Sequence, residues 1–514
     1  MKSTHSSRIA FGFLANLLQY GGTMLLQVVL APVVLKFAGQ EVLGAYSYLM
    51  QAIAWAALTD LGLSVAISRN LAQAHSLSDN QTRFSQVFTT GRTFFLGSNL
   101  VMAALIFAMG LKASSLMHLS ADVAAQAQHS LVILAVWVVC RTPLTLFDSA
   151  LYATQQMATV NLVVALSTMV RLGLALLFVS KGMALLGMIF AYIIGEALTL
   201  ILSRFIFLRQ YQGHHFGWGF PNRSLFREMF AFGLTCFLMG IASRLSANTD
   251  NLIVGTFLGS AAVSVYYTSQ MPGMLLGGLI WKLADNASPA MNELHATGQN
   301  DRLLAVYLGL FRYSLLVTIL VALGICAFNK AVVLLWVGEK QYAGLLFSIL
   351  VGAFVVTQVI NHLNAITLVV YGRMRGMTIV CIITGLCKIA LAGALAKGMG
   401  LSGVMVANLA ADLAVLIYLC QSCWALEGLA LARIWSEVLR PCLFTCILPG
   451  LGVVWLIWAD NTPADVLGVA LRISGIVLVW AVGGWFFGLK ASERTKIFGL
   501  MSRIIKGERI AANL

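Results

Sequence analysis

Eight charged side chains stand inside long apolar runs of this sequence: Arg141, Arg171, Arg244 and Lys388, with Asp60, Glu196, Asp250 and Asp412. At about 2.5–3.5 kcal/mol for each charge placed at the centre of a membrane helix, eight isolated charges would cost roughly 20–28 kcal/mol. A typical net stability is about 5–15 kcal/mol. The charges must therefore pair or face water. Guanidinium is a planar, permanently charged fork that grips phosphate oxygens two at a time, so arginines here suit a phosphate-bearing anion. A carboxylate in a partly desolvated cavity has its proton affinity raised towards neutrality, which suits proton or sodium coupling.

Depth along the chain sorts these residues. Hairpins around 181–184 and 397–400 bring Arg171 level with Glu196, and Lys388 level with Asp412. The expectation is two repeated ion pairs, Arg171–Glu196 and Lys388–Asp412, either structural or lining a cavity. Arg141 and Arg244 lack such neighbours. Asp148 shares a helical face with Arg141 but lies about 10 Å along the axis, and Arg244 and Asp250, six apart, point to different sides. Arg141 and Arg244 are accordingly the leading anion ligands, with a structural arginine bonded to helix carbonyls as the second reading. Asp60 and Asp250 are the leading coupling acids, against a helix-bonding role beside glycine-rich segments.

The elements that carry these charges are membrane helices. The composition is 60% hydrophobic and only 10% charged, too few charges to cover a water-soluble surface, where about 25% is usual. Apolar runs of roughly 20 residues recur, each long enough to cross a hydrocarbon core of about 30 Å. Fourteen spans are expected, at about 10–35, 43–68, 88–111, 127–150, 160–180, 184–205, 229–257, 262–284, 304–328, 343–370, 377–396, 401–422, 440–459 and 465–488. The fold class is an all-α polytopic membrane protein. No cleavable signal peptide is evident, because the run after Arg8 is too long for one.

The net charge of +14 forms no nucleic-acid patch; it flanks the spans. One side collects Lys2, Arg8, Arg69, Arg83, Arg204, Arg209, Arg223, Arg227, Arg373, Arg375, Arg433, Arg440 and the tail from Lys490 to Arg509. The other holds only Lys36, Lys112, Lys181, Lys330, Lys340 and Lys397. Both termini are thus expected in the cytoplasm. The tail, with Ile497, Met501, Ile504 and Ile505, is expected to lie on the anionic inner leaflet. The longest external loops, about 112–126 and 329–342, are too short for a catalytic domain. No GxxxxGK[ST] nucleotide site is present. Cys420 and Cys423 form a lone CxxC, read as apolar packing, and the histidines carry no metal-ligand spacing. No metal and no cofactor are expected.

The sequence also repeats. Phe37-x-Gly39-x6-Tyr46 returns as Phe257-x-Gly259-x6-Tyr266, offset by 220. Lys181-Gly182-Met183-x-Leu185-x-Gly187-x3-Ala191-x4-Glu196 returns as Lys397-Gly398-Met399-x-Leu401-x-Gly403-x3-Ala407-x4-Asp412, offset by 216, and Arg92 matches Arg312. Two six-helix lobes related by a pseudo-two-fold axis follow, at 1–208 and 227–425. A linker at 209–226, an extra helix pair at 440–488 and a tail at 489–514 complete the plan.

This plan resembles the multidrug/oligosaccharidyl-lipid/polysaccharide exporter superfamily, and within it the Wzx-type polysaccharide flippases. The resemblance rests on Phe37-Ala-Gly-Gln-Glu-Val-Leu-Gly-Ala-Tyr46, Asp60-Leu-Gly-Leu-Ser-Val-Ala-Ile-Ser-Arg69 and Asp250-Asn-Leu-Ile-Val-Gly-Thr-Phe-Leu-Gly259. It implies a two-lobed alternating-access carrier in the bacterial inner membrane, with a wet, often cationic chamber. The implied cargo is an undecaprenyl-diphosphate-linked oligosaccharide, with proton or sodium coupling. The implied partners are membrane lipids, a glycan polymerase and other assembly-pathway proteins. On that reading Arg141 and Arg244 hold the diphosphate, with Arg171 and Lys388 as further ligands. Asn361, His362 and Asn364 meet sugar hydroxyls or glue helices together, and Asp60, Asp250, Glu196 and Asp412 serve coupling. The alternatives are a cation-coupled drug or metabolite antiporter of the same superfamily, and a membrane enzyme of surface-glycan assembly.

Overall fold

The computed structural model describes residues 2–76, 81–112, 118–210, 222–247, 249–426, 428–459, 465–491 and 493–495. The amphipathic stretch after residue 495 and most of the 209–226 linker lie outside the described residues. The described residues are predominantly helical, with no strand among them. In chain order the helices are α1 Lys2–Phe37, α2 Gln40–Ala56, α3 Leu63–Ser76, α4 Gln81–Leu111, α5 Ala121–Cys140, α6 Thr142–Ala153, α7 Met157–Ser180 and α8 Ala184–Gln210. There follow α9 Arg223–Ala247, α10 Asp250–Leu258, α11 Ser260–Ala296, α12 Asn300–Val337, α13 Leu345–Val370 and α14 Met374–Leu426. The chain closes with α15 Leu431–Ile434, α16 Arg440–Trp458 and α17 Val466–Gly483.

Twelve helical segments among the described residues are long and apolar enough to cross a membrane. The difference from fourteen has two causes. The 53 residues of α14 would reach about 80 Å if straight. Gly400, at φ 57 and ψ −136, breaks them into two spans. The other shortfall is α11, where the expected span itself carries Ser264, Thr268, Ser269, Gln270 and Pro272 and is too polar to count among the twelve. The protein is a polytopic all-α membrane protein.

Three expected spans are interrupted, and each break carries one of the intramembrane charges. The 43–68 run stops at Ala56, passes through a tight turn at Ala57–Asp60, and restarts at Leu63, with Leu61 at φ 50 and Gly62 at φ 71. The 127–150 run breaks at Arg141, because Pro143 has no N–H to continue the ladder and suits the first turn of α6. The 229–257 run divides between α9 and α10, and Asp250 opens α10.

Two compact units emerge: Met1–Tyr267 with Ile389–Val404, and Thr268–Lys388 with Met405–Leu514. The boundary falls inside α11 rather than in the linker because α9 and α10 pack on the N-terminal helices. A Cβ on Gly62 would run into the Gly233 carbonyl and Cys236, so bare backbone lets α9 close on the α2–α3 turn. Gly44 similarly meets the Ser260 backbone. Within the first unit, α1 runs along α7, α7 along α8, and α4 along α5. A cluster of Phe88, Phe147 and Phe207, with ring centroids 5.1 and 5.9 Å apart along that chain, locks α4, α6 and α8 together. In the second unit α12 packs on α13 and α16, and α16 on α17. The outward faces of α16 and α17 expose Leu448, Leu451, Val454, Trp455, Leu467, Leu471 and Leu478, as lipid contact requires.

The sequence repeat has a backbone counterpart. Gly39 and Gly259 precede α2 and α11 at φ 89 in both cases, with ψ 173 and 168. A left-handed glycine thus starts the equivalent helix in each copy.

Candidate functional site

The charges of the first unit meet where the α5–α6 break faces α7 and α8. Arg141 is the joint residue, and the break frees its side chain to swing towards α8, where its guanidinium pairs with the Glu196 carboxylate. The Trp137 indole N–H, one turn earlier, donates to the other Glu196 oxygen at 2.6 Å. A second Arg141 nitrogen lies 3.9 Å from the Met102 sulfur, and its buried Nε has no hydrogen-bond partner.

Arg171 behaves differently from expectation. Its guanidinium donates to the Tyr46 hydroxyl on α2 and lies 4.8 Å from the centre of the Tyr192 ring. The expected Arg171–Glu196 pair is replaced by Arg141–Glu196. Packing explains the exchange. Arg171 presses on Gly195, where a Cβ would meet the Arg171 Cβ at 2.9 Å. Glu196, the next residue, is turned about 100° around α8 and so faces α5. Arg171 still lies in electrostatic range of Glu196. Glu196 is thus ion-paired with Arg141 alone, and with Arg171 nearby the three side chains carry a formal charge of +1. The side chains of Arg141 and Glu196 are 16% and 21% exposed, so the ion pair is partly exposed rather than sealed.

The second unit repeats this geometry with other side chains. Trp137, Arg141 and Glu196 correspond, by the offsets of 220 and 216, to Thr357, Asn361 and Asp412. Thr357 donates to an Asp412 carboxylate oxygen at 3.2 Å, Gln358 donates at 2.7 Å, and the Asn361 amide donates to the Asp412 backbone carbonyl at 3.1 Å. Asn361 and Asp412 are buried, as is Lys388, one residue beyond the position that the offset of 216 gives for Arg171. Where the first copy is cationic and partly exposed, the second is enclosed.

The remaining candidates separate into fastened and free groups. Asp60 accepts the Gly62 N–H at 2.8 Å and the Ser64 hydroxyl at 2.7 Å, one on each oxygen, so it caps α3 across the break. That is the helix-bonding role. Asp250 is buried at the start of α10 and accepts the Tyr266 hydroxyl at 3.0 Å. Arg244 is partly exposed and makes no hydrogen bond or ion pair among the described residues. It continues the α9 face of Gly233, Phe237 and Gly240 that packs on the α2–α3 turn. Asn364 is wholly buried: it accepts the Tyr307 hydroxyl at 2.7 Å and donates to the Cys420 sulfur at 3.3 Å, gluing α12, α13 and α14. Cys423 reaches the Asn364 carbonyl at 3.5 Å, so the CxxC packs around one asparagine.

His362 lies beside groups the sequence did not single out. Its Nε2 is 2.8 Å from an Asp285 oxygen, and its ring stacks on Trp281 at 4.7 Å and 15°. Lys282 pairs with the same Asp285 at 3.1 Å. All three ionisable groups are partly exposed. Among the described residues no group of three or more His, Cys, Asp or Glu side chains is arranged to hold a metal ion. Of the partners missed from sequence, Tyr46 stood in a repeated motif and Trp137 stood one helical turn before Arg141. Both signals were legible, but neither says which charge the side chain meets.

Comparisons fit this architecture. Residues 9–295, more than half of the chain, match the family described as polysaccharide biosynthesis protein. Among solved structures the chain is similar to the lipid II flippase MurJ in an inward closed conformation, at 13% identity and TM-score 0.71, covering 92% of this chain and 98% of that one. It is also similar to an inward-facing multidrug resistance MATE family transporter of the MOP superfamily, at 15% identity and TM-score 0.62, covering 79% and 96%. A MOP superfamily transporter from Pyrococcus furiosus aligns at 14% identity and TM-score 0.55, covering 82% and 96%. No curated relative matches in sequence. On the strength of the family match, with the MOP fold beneath it, the chain belongs to the polysaccharide biosynthesis protein family.

Proposed function

We propose that the protein flips an undecaprenyl-diphosphate-linked oligosaccharide from the cytoplasmic to the periplasmic leaflet of the bacterial inner membrane by alternating access. The observation that carries this reading is the partly exposed cluster of Arg141, Arg171 and Glu196, with two cations to one anion. A diphosphate diester entering it, with a charge of about −2, would offset the cluster's +1 and, with Arg244 as a third cation, reach balance, while offering an acceptor to the unpartnered Nε of Arg141. At about 5 Å and an effective dielectric near 20, each charge pair supplies roughly 3 kcal/mol. That is enough to hold a headgroup and too little to trap it.

Glu196 gives the site a built-in release. It competes with the cargo for Arg141, so the empty site is never left with two naked guanidiniums. Arg244, with no partner of its own among the described residues, is the third arginine proposed to meet the anion. Lys388 and Asn361, buried in the second copy, and His362, held by Asp285, are proposed to act later or indirectly, and Asn364 to hold helices. Asp250, Glu196 and Asp412 are the acids proposed to couple transport to protons or sodium, while Asp60 is occupied as a cap. The family's biosynthetic description and the flippase among the similar structures favour a lipid-linked glycan over a drug. The MATE structure covers 79% of this chain, whereas the flippase covers 92%. Two six-helix lobes remain the proposed organisation, on the sequence repeat and the matched Gly39 and Gly259.

Depletion of the protein in its host tests this. Lipid-linked oligosaccharide should build up on the cytoplasmic leaflet, and its glycan identifies the cargo. Unchanged delivery of every such glycan to the periplasm would overturn the reading.

A further inference from the structure

Two grooves on the arginine-rich side carry cations that the flipping site does not use. In the first unit, a groove of about 720 Å³ between α6 and α8 is lined by Leu144, Ile201, Arg204, Phe205, Leu208 and Arg209. Apart from the two arginines its lining is apolar. Arg204 and Arg209 are exposed, and their described contacts are aromatic: Arg204 lies 5.8 Å from the Phe147 ring and Arg209 5.9 Å from the Phe205 ring. Neither has a carboxylate partner among the described residues. Asp148, on the facing helix α6, accepts instead from the Ser203 hydroxyl at 3.2 Å. Arg92 adds a third positive charge in electrostatic range of Arg204.

In the second unit, a groove of about 570 Å³ is lined by residues that include Leu368, Arg373, Arg375, Tyr418, Ser422 and Leu426. Arg373 and Arg375 are exposed and unpaired among the described residues. The Tyr418 hydroxyl lies over the bare backbone of Gly376, where a side chain would collide with it. By the offset of 216, the α8 residues 201–210 correspond to 417–426. Both grooves therefore use the last turns of the same repeated helix. The arginines come from that helix in one copy, and from the turn after α13 and the first turn of α14 in the other. Different residues thus deliver two uncompensated guanidiniums to one repeated location beside apolar side chains.

We propose that each groove binds an anionic phospholipid, the headgroup phosphate held by the arginine pair and an acyl chain lying on the apolar wall. The complementarity is specific to that chemistry. Phosphate takes two guanidinium forks, an anionic leaflet supplies the ligand where basic residues gather, and a floor of Leu144, Ile201 and Leu208 would repel a soluble anion's hydration shell. The proposal does not depend on the cargo.

The test uses the full-length protein in a neutral detergent with phosphatidylglycerol as probe, and phosphatidylcholine and inorganic phosphate as controls. Native mass spectrometry should show up to two tightly retained phosphatidylglycerol molecules, neither displaced by inorganic phosphate. The double variants R204Q/R209Q and R373Q/R375Q should each lose one, with affinity at that groove falling about tenfold or more. Size-exclusion profiles check that the exposed substitutions leave the fold intact. Equal retention in wild type and both variants overturns the proposal. So does equal retention of phosphatidylcholine, or stoichiometric displacement by undecaprenyl phosphate, which would make the grooves cargo entry sites.

Discussion

Arg141 and Glu196 form an ion pair across the α5–α6 break and α8, and the same two positions in the second copy are Asn361 and Asp412. One copy has kept a strong cation where the other has a neutral amide. An arginine held by a single carboxylate can exchange that carboxylate for phosphate. An asparagine that donates to a backbone carbonyl cannot.

The pair makes Arg141 structural as well as functional. Arg141→Ala leaves Glu196 with only the Trp137 indole as a described hydrogen-bond partner. The pair is partly exposed, so the loss should lie between surface and buried values, about 1–3 kcal/mol. Thermal unfolding in detergent should show the drop. Arg141→Lys should recover most of the stability and little of the transport, because ammonium cannot replace the fork.

Arg244→Ala should separate function from folding. With no partner among the described residues, its removal should change stability by less than about 0.5 kcal/mol while flipping falls severalfold. A stability loss with unchanged flipping would show instead that Arg244 is a packing residue.

The α2–α3 turn depends on Gly62, which stands at φ 71 under the Gly233 carbonyl. Gly62→Ala should cost about 2–4 kcal/mol, combining left-handed strain with displacement of α9. Gly21→Ala, where the added methyl meets nothing, should be nearly neutral in the same unfolding assay.

Glu493 fastens the chain after α17 to the second unit. Burial raises its proton affinity, but the Lys490 backbone N–H at 2.7 Å, the Tyr313 hydroxyl and the Arg312 guanidinium outweigh burial and hold its carboxyl below the usual range. A depressed folded value means the contact is fully present above the unfolded value, about pH 4.3, and is lost as pH falls through the folded one. The protection of residues 489–495 against hydrogen exchange, relative to the intrinsic rate at each pH, should fall in acid below pH 4, and Glu493→Gln should show the same loss of protection at pH 7.

Much of this fold was legible in the sequence. The spans follow from apolar length, and Gly39 and Gly259 announced the repeat. Glu196 and Asp412 were recognised as equivalent acids. The breaks at Leu61–Gly62 and Arg141 were read through because the apolar runs resume directly beyond them, although Gly62 and Pro143 were break signals in the sequence. The pairing of Arg171 with Glu196 failed for a geometric reason. Equal depth on a hairpin fixes height but not azimuth, and Gly195 takes the face towards α7 that Glu196 would have needed. The Lys282–Asp285–His362 cluster was missed because its members come from α11 and α13, far apart in sequence.

The central claim is that the Arg141–Arg171–Glu196 cluster receives the diphosphate, and equilibrium binding of undecaprenyl diphosphate to the purified protein tests it most directly. Glu196→Gln, which frees Arg141 from its competitor, should bind severalfold more tightly than wild type, and Arg141→Gln/Arg171→Gln should lose binding by about a hundredfold. Equal affinity in all three proteins would contradict the account.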